Sequence, residues 1–310
     1  MKRRTSRRTG VIAVAFLAAS TASPAWAHAP ADPQPTVKAQ ATTATAQQKV
    51  LQYWTLDRMQ QATPMDRLLR PSQSAPATAD RRREFPTTGA PWRAGGVIAR
   101  TAGRVFFTYQ GRDASCSASA VASANRSTVI TAGHCVKLDG AWHTNWVFVP
   151  GYDNGDRPYG VWTARQTMTT GEWAADENLD HDVGAAVVNP LNGRRLVDVV
   201  GGQGIAFNQP RRRNMYAFGY PAQTPYTGER LIYCSGGTFD DSLRTRAIGM
   251  RCGMVGGASG GPWLINFSES SGTGVINSVT SFRYRSLPDQ LFGTYFGGSE
   301  RALYYRAQSA

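Results

Sequence analysis

Short apolar runs separated by turn residues make up most of the chain from Gly95 onward. Such runs, bounded by Gly, Pro, Asn and Asp, are typical of antiparallel strands. A first group predicts a small β-barrel, and its runs are 97–99, 104–109, 116–124, 129–132, 145–150, 161–168 and 183–188. A second group begins near Leu196 and predicts a second barrel, with runs at 215–219, 230–234, 247–251, 261–265 and 274–282. Residues 299–308 have helical spacing and predict a C-terminal helix.

The first 27 residues have the parts of a secretory signal peptide. Val11–Ala19 is an apolar stretch that is too short to span a bilayer. Cleavage after the A-x-A motif Ala25-Trp26-Ala27 would leave His28 as the first residue. We therefore expect a secreted, extracellular protein. The basic head of this signal consists of Lys2, Arg3, Arg4, Arg7 and Arg8.

Residues 28–94 differ in composition, because Ala, Thr, Pro and Gln are frequent, and we expect most of them to be poorly ordered. Gln47–Leu69 is the exception, since its apolar positions fit a helix with one apolar face, which Pro64 interrupts. The region is interpreted either as a pro-segment that covers the domain after it or as a plain linker. Arg81-Arg82-Arg83 is either a processing point or a solubilising cluster. The domain that follows is assigned to residues 95–310.

The net charge of +13 does not by itself indicate a nucleic-acid partner. Residues 1–95 hold 14 Lys and Arg against 5 Asp and Glu, whereas residues 96–310 hold 20 against 16. Most of the excess charge therefore lies in the part that we expect to be removed. Because no basic patch is interleaved with aromatic residues, we expect no nucleic-acid partner, and we also expect no membrane partner.

Four cysteines are present: Cys116, Cys135, Cys234 and Cys252. An even number in a secreted chain indicates two disulfides, for which three pairings exist. Cys116 with Cys135 and Cys234 with Cys252 is the economical choice, since each pair closes a short loop. Zinc is the competing interpretation, but neither pair has CxxC spacing, so we expect no metal and no cofactor.

Three separate motifs carry candidate chemistry. Gly256–Pro262 places Ser259 among glycines, which permit a tight turn that aims backbone N–H groups at one point. Thr131–Cys135 follows an apolar run and contains His134, and His181–Val188 begins a buried-looking strand with Asp182. A serine nucleophile needs a base to take its proton, and the base needs a carboxylate to fix its tautomer.

At these residues, and over roughly Gly95 to the C-terminus, the sequence resembles the chymotrypsin-like serine peptidases, in particular secreted bacterial members. The resemblance rests on the order His134, Asp182, Ser259 and on the motif around each residue. It implies two six-stranded antiparallel barrels with a C-terminal helix. It also implies that Ser259 is the nucleophile, His134 the general base and Asp182 the orienting carboxylate. The backbone N–H groups of Gly257 and Ser259 would form the oxyanion hole.

Rival residues stand near two of these positions. Asp180 lies two residues before Asp182, but the acid of the family directly precedes an apolar strand, as Asp182 does. His181 should point away from Asp182 in an extended segment. His143 lies in a loop after Trp142 and has no such motif around it.

Several positions depart from the common pattern of the family. Ala258 stands where many members have an acid that pairs with a new N-terminus, so activation must work otherwise. Gly253, followed by Met254, stands where trypsin-like members have an aspartate, so a preference for Lys or Arg is not expected there. The later pocket wall is expected at Ser281, Phe282 and Arg283. Arg283 would pair with an acidic substrate side chain, narrow the pocket or point into solvent, and we favour solvent.

The sequence thus predicts a secreted serine endopeptidase that acts as a monomer on protein or peptide substrates. The alternative is a catalytically silent protein of the same fold that serves as a binding module. An esterase of the α/β-hydrolase type is disfavoured, because its serine precedes the acid and the histidine in the chain.

Overall fold

The computed structural model describes residues 1, 33–69, 87–254 and 256–310, and strands dominate them. The strands are β1 Thr36–Ala39, β2 Thr63–Pro64, β3 Thr87–Pro91, β4 Ala102–Tyr109, β5 Arg112–Ala120, β6 Thr128–Thr131, β7 Lys137–Leu138, β8 Ala141–Trp142, β9 Thr144–Pro150, β10 Trp162–Thr169, β11 Gly184–Val188, β12 Gly204–Ile205, β13 Asn214–Gly219, β14 Ile232–Gly237, β15 Phe239–Asp240, β16 Ile248–Arg251, β17 Pro262–Ser268, β18 Thr273–Phe282 and β19 Gln290–Tyr295. The helices are α1 Ala44–Tyr53, α2 Leu56–Gln61, α3 Met65–Leu69, α4 Ile98–Thr101, α5 Gly171–Asp176, α6 Leu196–Val200 and α7 Gly298–Gln308.

Six of these strands close an antiparallel barrel in the order β10-β11-β6-β5-β4-β9, with β9 pairing back onto β10. In β4, Val105, Phe106 and Phe107 form a continuous apolar run, and the packing of the strand explains this pattern. Val105 and Phe107 pack inside the barrel, whereas Phe106 points the other way into a second cluster that includes Phe218 and Leu264 of the other sheet. Both faces of the strand are therefore buried, which removes the usual alternation.

The second sheet has the order β15-β16-β19-β18-β17-β13-β14-β3 and curls into a half-barrel. The disulfide Cys234–Cys252 joins β14 to the residue after β16, two strands that lie far apart in this order. It therefore holds the two sides of the curl together. The predicted all-β class with two β units is confirmed, the first unit being a closed barrel and the second a curled sheet.

The predicted C-terminal helix is also confirmed as α7. Leu303 and Ala307 are fully buried and join the core cluster shared with Phe218. The side chain of Glu300 accepts the N–H of Gly297 at 2.7 Å, which satisfies a donor at the start of the helix.

Residues 33–69 are more ordered than their composition led us to expect. β1 pairs antiparallel with β10, and β2 pairs parallel with β5, so both add to the first sheet outside its closed ring. Trp54, Met59 and Met65 are 2%, 0% and 0% exposed. Tertiary contacts, rather than local composition, thus account for this order.

Three expectations concern the N-terminal part of the chain and its boundary with the domain. The signal peptide beyond Met1 and the cluster Arg81-Arg82-Arg83 lie outside the described residues. β3 lies before residue 95, the expected start of the domain, yet it pairs with β14 in the second sheet. Within the described part of the chain, no helix has both the length and the apolar character needed to cross a membrane.

We predict that replacing Cys234 and Cys252 together by Ala lowers the free energy of unfolding by about 3 kcal/mol, because a loop of this length then regains its freedom in the unfolded chain. Urea unfolding under oxidising conditions measures it. Ser242→Ala, an exposed position of the same half, is the control and should stay within about 0.5 kcal/mol of the parent. An unchanged midpoint in the double variant would contradict the role given to this disulfide.

Candidate active site

The turn around Ser259 depends on glycines that have no room for a side chain. Gly257 has φ +99°, and a Cβ there would lie 2.7 Å from the carbonyl oxygen of Tyr220. Gly260 has φ +77°, and a Cβ there would lie 2.1 Å from Thr131 Oγ1. Both the left-handed conformation and the close packing therefore require glycine.

Ser117 of β5 fixes this turn from the neighbouring barrel. Its backbone N–H donates to the carbonyl of Ser259 at 2.8 Å, and its Oγ donates to the carbonyl of Gly257 at 2.8 Å. The same Oγ accepts the N–H of Tyr220 at 2.8 Å. These bonds tie the serine turn of the second sheet to the first barrel. Sequence analysis missed Ser117, because a serine in a run of Ala and Ser carries no local signal.

His134 lies on a 3-10 turn, Gly133–Cys135, directly after β6. Its backbone carbonyl lies 2.9 Å from Nε2 of His143, and the disulfide Cys116–Cys135 holds the turn to β5. Gly133 faces the ring of Trp173, where a Cβ would approach within 2.7 Å. The imidazole is consequently held in a rigid, buried position, with His134 2% exposed.

Asp182 precedes β11 and is fully buried. Its Oδ1 accepts the backbone N–H of His134 at 2.8 Å, and its Oδ2 lies 2.8 Å from His134 Nδ1. Ser281 Oγ donates to Oδ2 at 2.5 Å. Because a carboxylate only accepts, Nδ1 carries the proton and Nε2 of the neutral ring is left as the basic nitrogen. The hydrogen bond from Ser281, expected only as pocket wall, is a second contact that the sequence did not indicate.

The contact between His134 and Asp182 shifts the pKa of each residue. Burial by itself would lower the pKa of His134, but the charge and hydrogen bond of Asp182 raise it above the ordinary value of 6.5. Burial would raise the pKa of Asp182, but His134 and Ser281 lower it. Since the folded-state pKa of His134 is raised, the ion pair adds stability below pH 6.5, and this contribution is lost as the pH rises through the raised pKa.

The hydroxyl of Ser259 does not bond to the imidazole here. It donates to Oδ1 of Asp66 at 2.8 Å, and the N–H of Gly257 donates to Oδ2 of the same carboxylate at 2.8 Å. Nε2 of His134 has no hydrogen-bond partner among the described residues. Sequence analysis missed Asp66, which stands in a short helix with no motif around it.

The expected pocket residues lie in varied surroundings. Gly253 donates its N–H to the carbonyl of Thr88 at 2.6 Å, and Met254 is fully buried. Phe282 stacks on Phe292 with ring centroids 5.3 Å apart. Arg283 is half-buried rather than pointing freely into solvent, and its Nη1 donates to the carbonyl of Pro288 at 3.1 Å.

The side chains of the three rival residues have other partners than Ser259. Oδ1 of Asp180 accepts the N–H of Arg246 at 2.6 Å. His181 Nδ1 lies 2.9 Å from Glu300 Oε1. His143, expected in a loop, is buried and stacks on Phe107, and this burial lowers its pKa to about 4. None of the three contacts Ser259 through a described hydrogen bond.

Two solved proteases resemble this chain along nearly their whole length. Protease Anisep from Arthrobacter nicotinovorans is 42% identical with a TM-score of 0.65, and the match covers 68% of this chain and 96% of that one. The thermostable serine protease AL20 from an extremophilic microorganism is 40% identical with a TM-score of 0.65, covering 69% of this chain and 99% of that one. The chain belongs to the chymotrypsin-fold serine protease family.

One curated relative of this serine protease has a different description. It is an extracellular metalloprotease of Bacillus subtilis (strain 168), 30% identical over 129 residues, which are 41% of this chain and 38% of that protein. No protein-family model matches the sequence.

A metal centre does not fit the donors near His134. In the described ranges, the group of residues with suitable donor atoms close together is Cys116, His134 and Cys135, whose atoms lie within 4.8 Å of one another. The two sulfurs are bonded to each other, so neither is a thiolate that could bind a metal ion.

We predict that Gly260→Ala destabilises the protease far more than Gly111→Ala. Both glycines have nearly equal φ, +77° and +78°, but a Cβ at Gly111 would meet nothing within 4 Å. The left-handed conformation costs Ala about 1 kcal/mol at either site, and the clash at Gly260 adds about 1–3 kcal/mol. Urea unfolding measures both. Equal losses at the two positions would show that the serine turn is not tightly packed.

Proposed function

We propose that this serine protease is a secreted endopeptidase that cleaves peptide bonds through an acyl-enzyme on Ser259. The observation that carries the proposal is the buried Asp182–His134 pair, in which Oδ2 of Asp182 lies 2.8 Å from Nδ1 of His134. A glycine turn beside this pair presents Ser259. The 42% identity to a solved protease supports the same activity class.

In the first half of the reaction, Ser259 Oγ attacks the substrate carbonyl while Nε2 of His134 takes its proton. The C–O bond of the acyl-enzyme forms, and the negative charge develops on the carbonyl oxygen. The N–H groups of Gly257 and Ser259 stabilise this charge, each contributing roughly 3 kcal/mol. The protonated imidazole then gives its proton to the leaving amine as the peptide C–N bond breaks.

In the second half, a water molecule attacks the acyl carbon while His134 takes its proton. The ester C–O bond to Ser259 then breaks, His134 returns the proton to Ser259 Oγ, and the acid product leaves. Asp182 stays ionised throughout. Its charge favours the imidazolium that forms in each half-reaction, which agrees with the raised pKa of His134. Ser281 assists by keeping Asp182 hydrogen-bonded on the oxygen that faces the ring.

The substrate pocket is assigned to Gly253, Met254, Ser281, Phe282 and Arg283. Gly253 offers no negative charge to a basic substrate side chain, so cleavage after Lys or Arg is not favoured by this contact. Arg283 is the charged group of this wall, and burial lowers its pKa while the charge of Asp66 raises it. Preference for an acidic residue over Leu or Phe before the cut would assign Arg283 to substrate binding.

Two disulfides and the signal-like sequence of the first 27 residues support secretion. The proposed mature enzyme is a monomer that uses no cofactor. Protein or peptide substrates are its proposed partners, with no role for nucleic acid or membranes.

We predict that Asp182→Asn lowers kcat of the processed enzyme about 10⁴-fold, because the imidazole loses its orienting acceptor. Ser259→Ala and His134→Ala should lose at least as much. Hydrolysis of a peptide library by the secreted, processed form measures all three. Asp180→Asn is the matched control and should change kcat/KM by no more than about twofold, as a surface substitution does.

Peptide hydrolysis, together with fluorophosphonate labelling, distinguishes an endopeptidase from the alternative of a catalytically silent binding protein. A processed wild-type chain that hydrolyses no peptide and takes up no fluorophosphonate would favour that alternative. Activity that survives Ser259→Ala would overturn the assignment of the nucleophile.

A further inference from the structure

The carboxylate of Asp66 contacts the Ser259 hydroxyl and one of the two proposed oxyanion donors, the N–H of Gly257. It receives two hydrogen bonds of 2.8 Å, one from the N–H of Gly257 and one from the hydroxyl of Ser259. A Cβ placed on Gly256 would lie only 3.3 Å from Cβ of Asp66, so the side chain lies close against the serine turn. The charge of Asp66 also acts on both His134 and Arg283.

This carboxylate has the chemistry of a cleaved substrate. The product of peptide hydrolysis is a carboxylate whose oxygens lie between the nucleophile and the oxyanion donors. Donors arranged for an oxyanion bind any correctly placed negative oxygen. Asp66 therefore occupies this position with a carboxylate, which has no peptide bond that Ser259 could cleave.

Several contacts of residues 33–69 keep Asp66 in place. Met65, its neighbour, is fully buried in the cluster inside the first barrel, and β2 pairs with β5 just before it. Nε1 of Trp54 donates to the carbonyl of Asn145 at 2.5 Å. The hydroxyl of Tyr53 and Nη1 of Arg58 donate to the two oxygens of Asp113, and their distances are 2.6 and 2.9 Å.

We propose that residues 33–69 are an inhibitory segment of this protease, in which Asp66 occupies the oxyanion site and blocks Ser259 until the segment is removed. This inference rests on the proposed function, since it needs Ser259 as the nucleophile. It goes beyond that function by naming the group that keeps the precursor inactive.

Removal of the segment leaves the catalytic halves intact. β1 and β2 are added outside the closed ring of six strands, so neither is needed to close the barrel. The two solved proteases have no counterpart for about a third of this chain, although the match covers 96% and 99% of them. The fold of the family therefore does not depend on every part of the precursor.

We predict that Asp66→Ala raises the rate at which a fluorophosphonate labels the intact chain by about tenfold or more. A phosphonyl oxygen must enter the oxyanion site, and each of the two hydrogen bonds lost with the carboxylate changes an equilibrium by about that factor. Labelling is read on the band of full precursor mass, so processed material does not contribute. Asp66→Asn keeps the volume without the charge and should give an intermediate rate.

Asp57→Ala, which removes an exposed acid from α2 of the same segment, is the control and should label as slowly as the parent. Thermal melting by circular dichroism confirms that each variant folds. An intact parent that labels as fast as Asp66→Ala, or an Asp66→Ala chain that stays as slow as the parent while the processed enzyme labels quickly, overturns this inference alone. A processed enzyme that never labels overturns the proposed function and, with it, this inference.

Discussion

The buried carboxylate of Asp182 is the constraint on which the rest of the site depends. A charge taken out of water this completely is tolerated only when hydrogen bonds satisfy it. Its donors come from both halves of the protein, His134 on the turn after β6 of the barrel and Ser281 in β18 of the second sheet. The two β units must therefore pack in one relative position for Asp182 to be stable. The geometry that makes His134 a base and the packing between the units are consequently the same requirement.

The second requirement is a set of donors aimed at an oxyanion, and it explains both the proposed reaction and its proposed inhibition. The glycines of the serine turn present a backbone N–H without a side chain in the way. A site built to favour a transient negative oxygen also favours a permanent one, and the chain contains such a group in Asp66. The contacts of Met65 and Trp54 supply the order that this carboxylate needs. Removal of this carboxylate would release the Ser259 hydroxyl, which now donates to Asp66, to bond to Nε2 of His134.

Sequence reasoning succeeded where local patterns determine structure and failed where tertiary contacts do. The apolar run within Arg104–Tyr109 predicted β4, and the helical spacing of residues 299–308 predicted α7, because each segment carries a local signal. The motif residues His134 and Asp182 lie together, although their catalytic roles stay a proposal. β1 has no such signal, since its four residues are ordered by pairing with β10. The same holds for Asp66, whose position depends on contacts with residues nearly two hundred positions away. Sequence patterns also do not show whether the strands of the second sheet close into a barrel, because strand pairing determines closure.

Proton NMR of the full chain carrying Ser259→Ala, which prevents self-cleavage, tests the central pair most directly. The account predicts a His134 Nδ1 proton far downfield of the backbone amides, because it lies in a short hydrogen bond to a charged acceptor. It also predicts that the ring titrates above 6.5, and that adding Asp182→Asn abolishes the resonance and lowers this pKa, since burial is then the largest influence and the charges of Asp66 and Glu177 raise the pKa less than Asp182 does. Asp180→Asn in the same background should change neither. Absence of the downfield proton, or a His134 pKa at or below 6.5 with Asp182 present, would contradict the account.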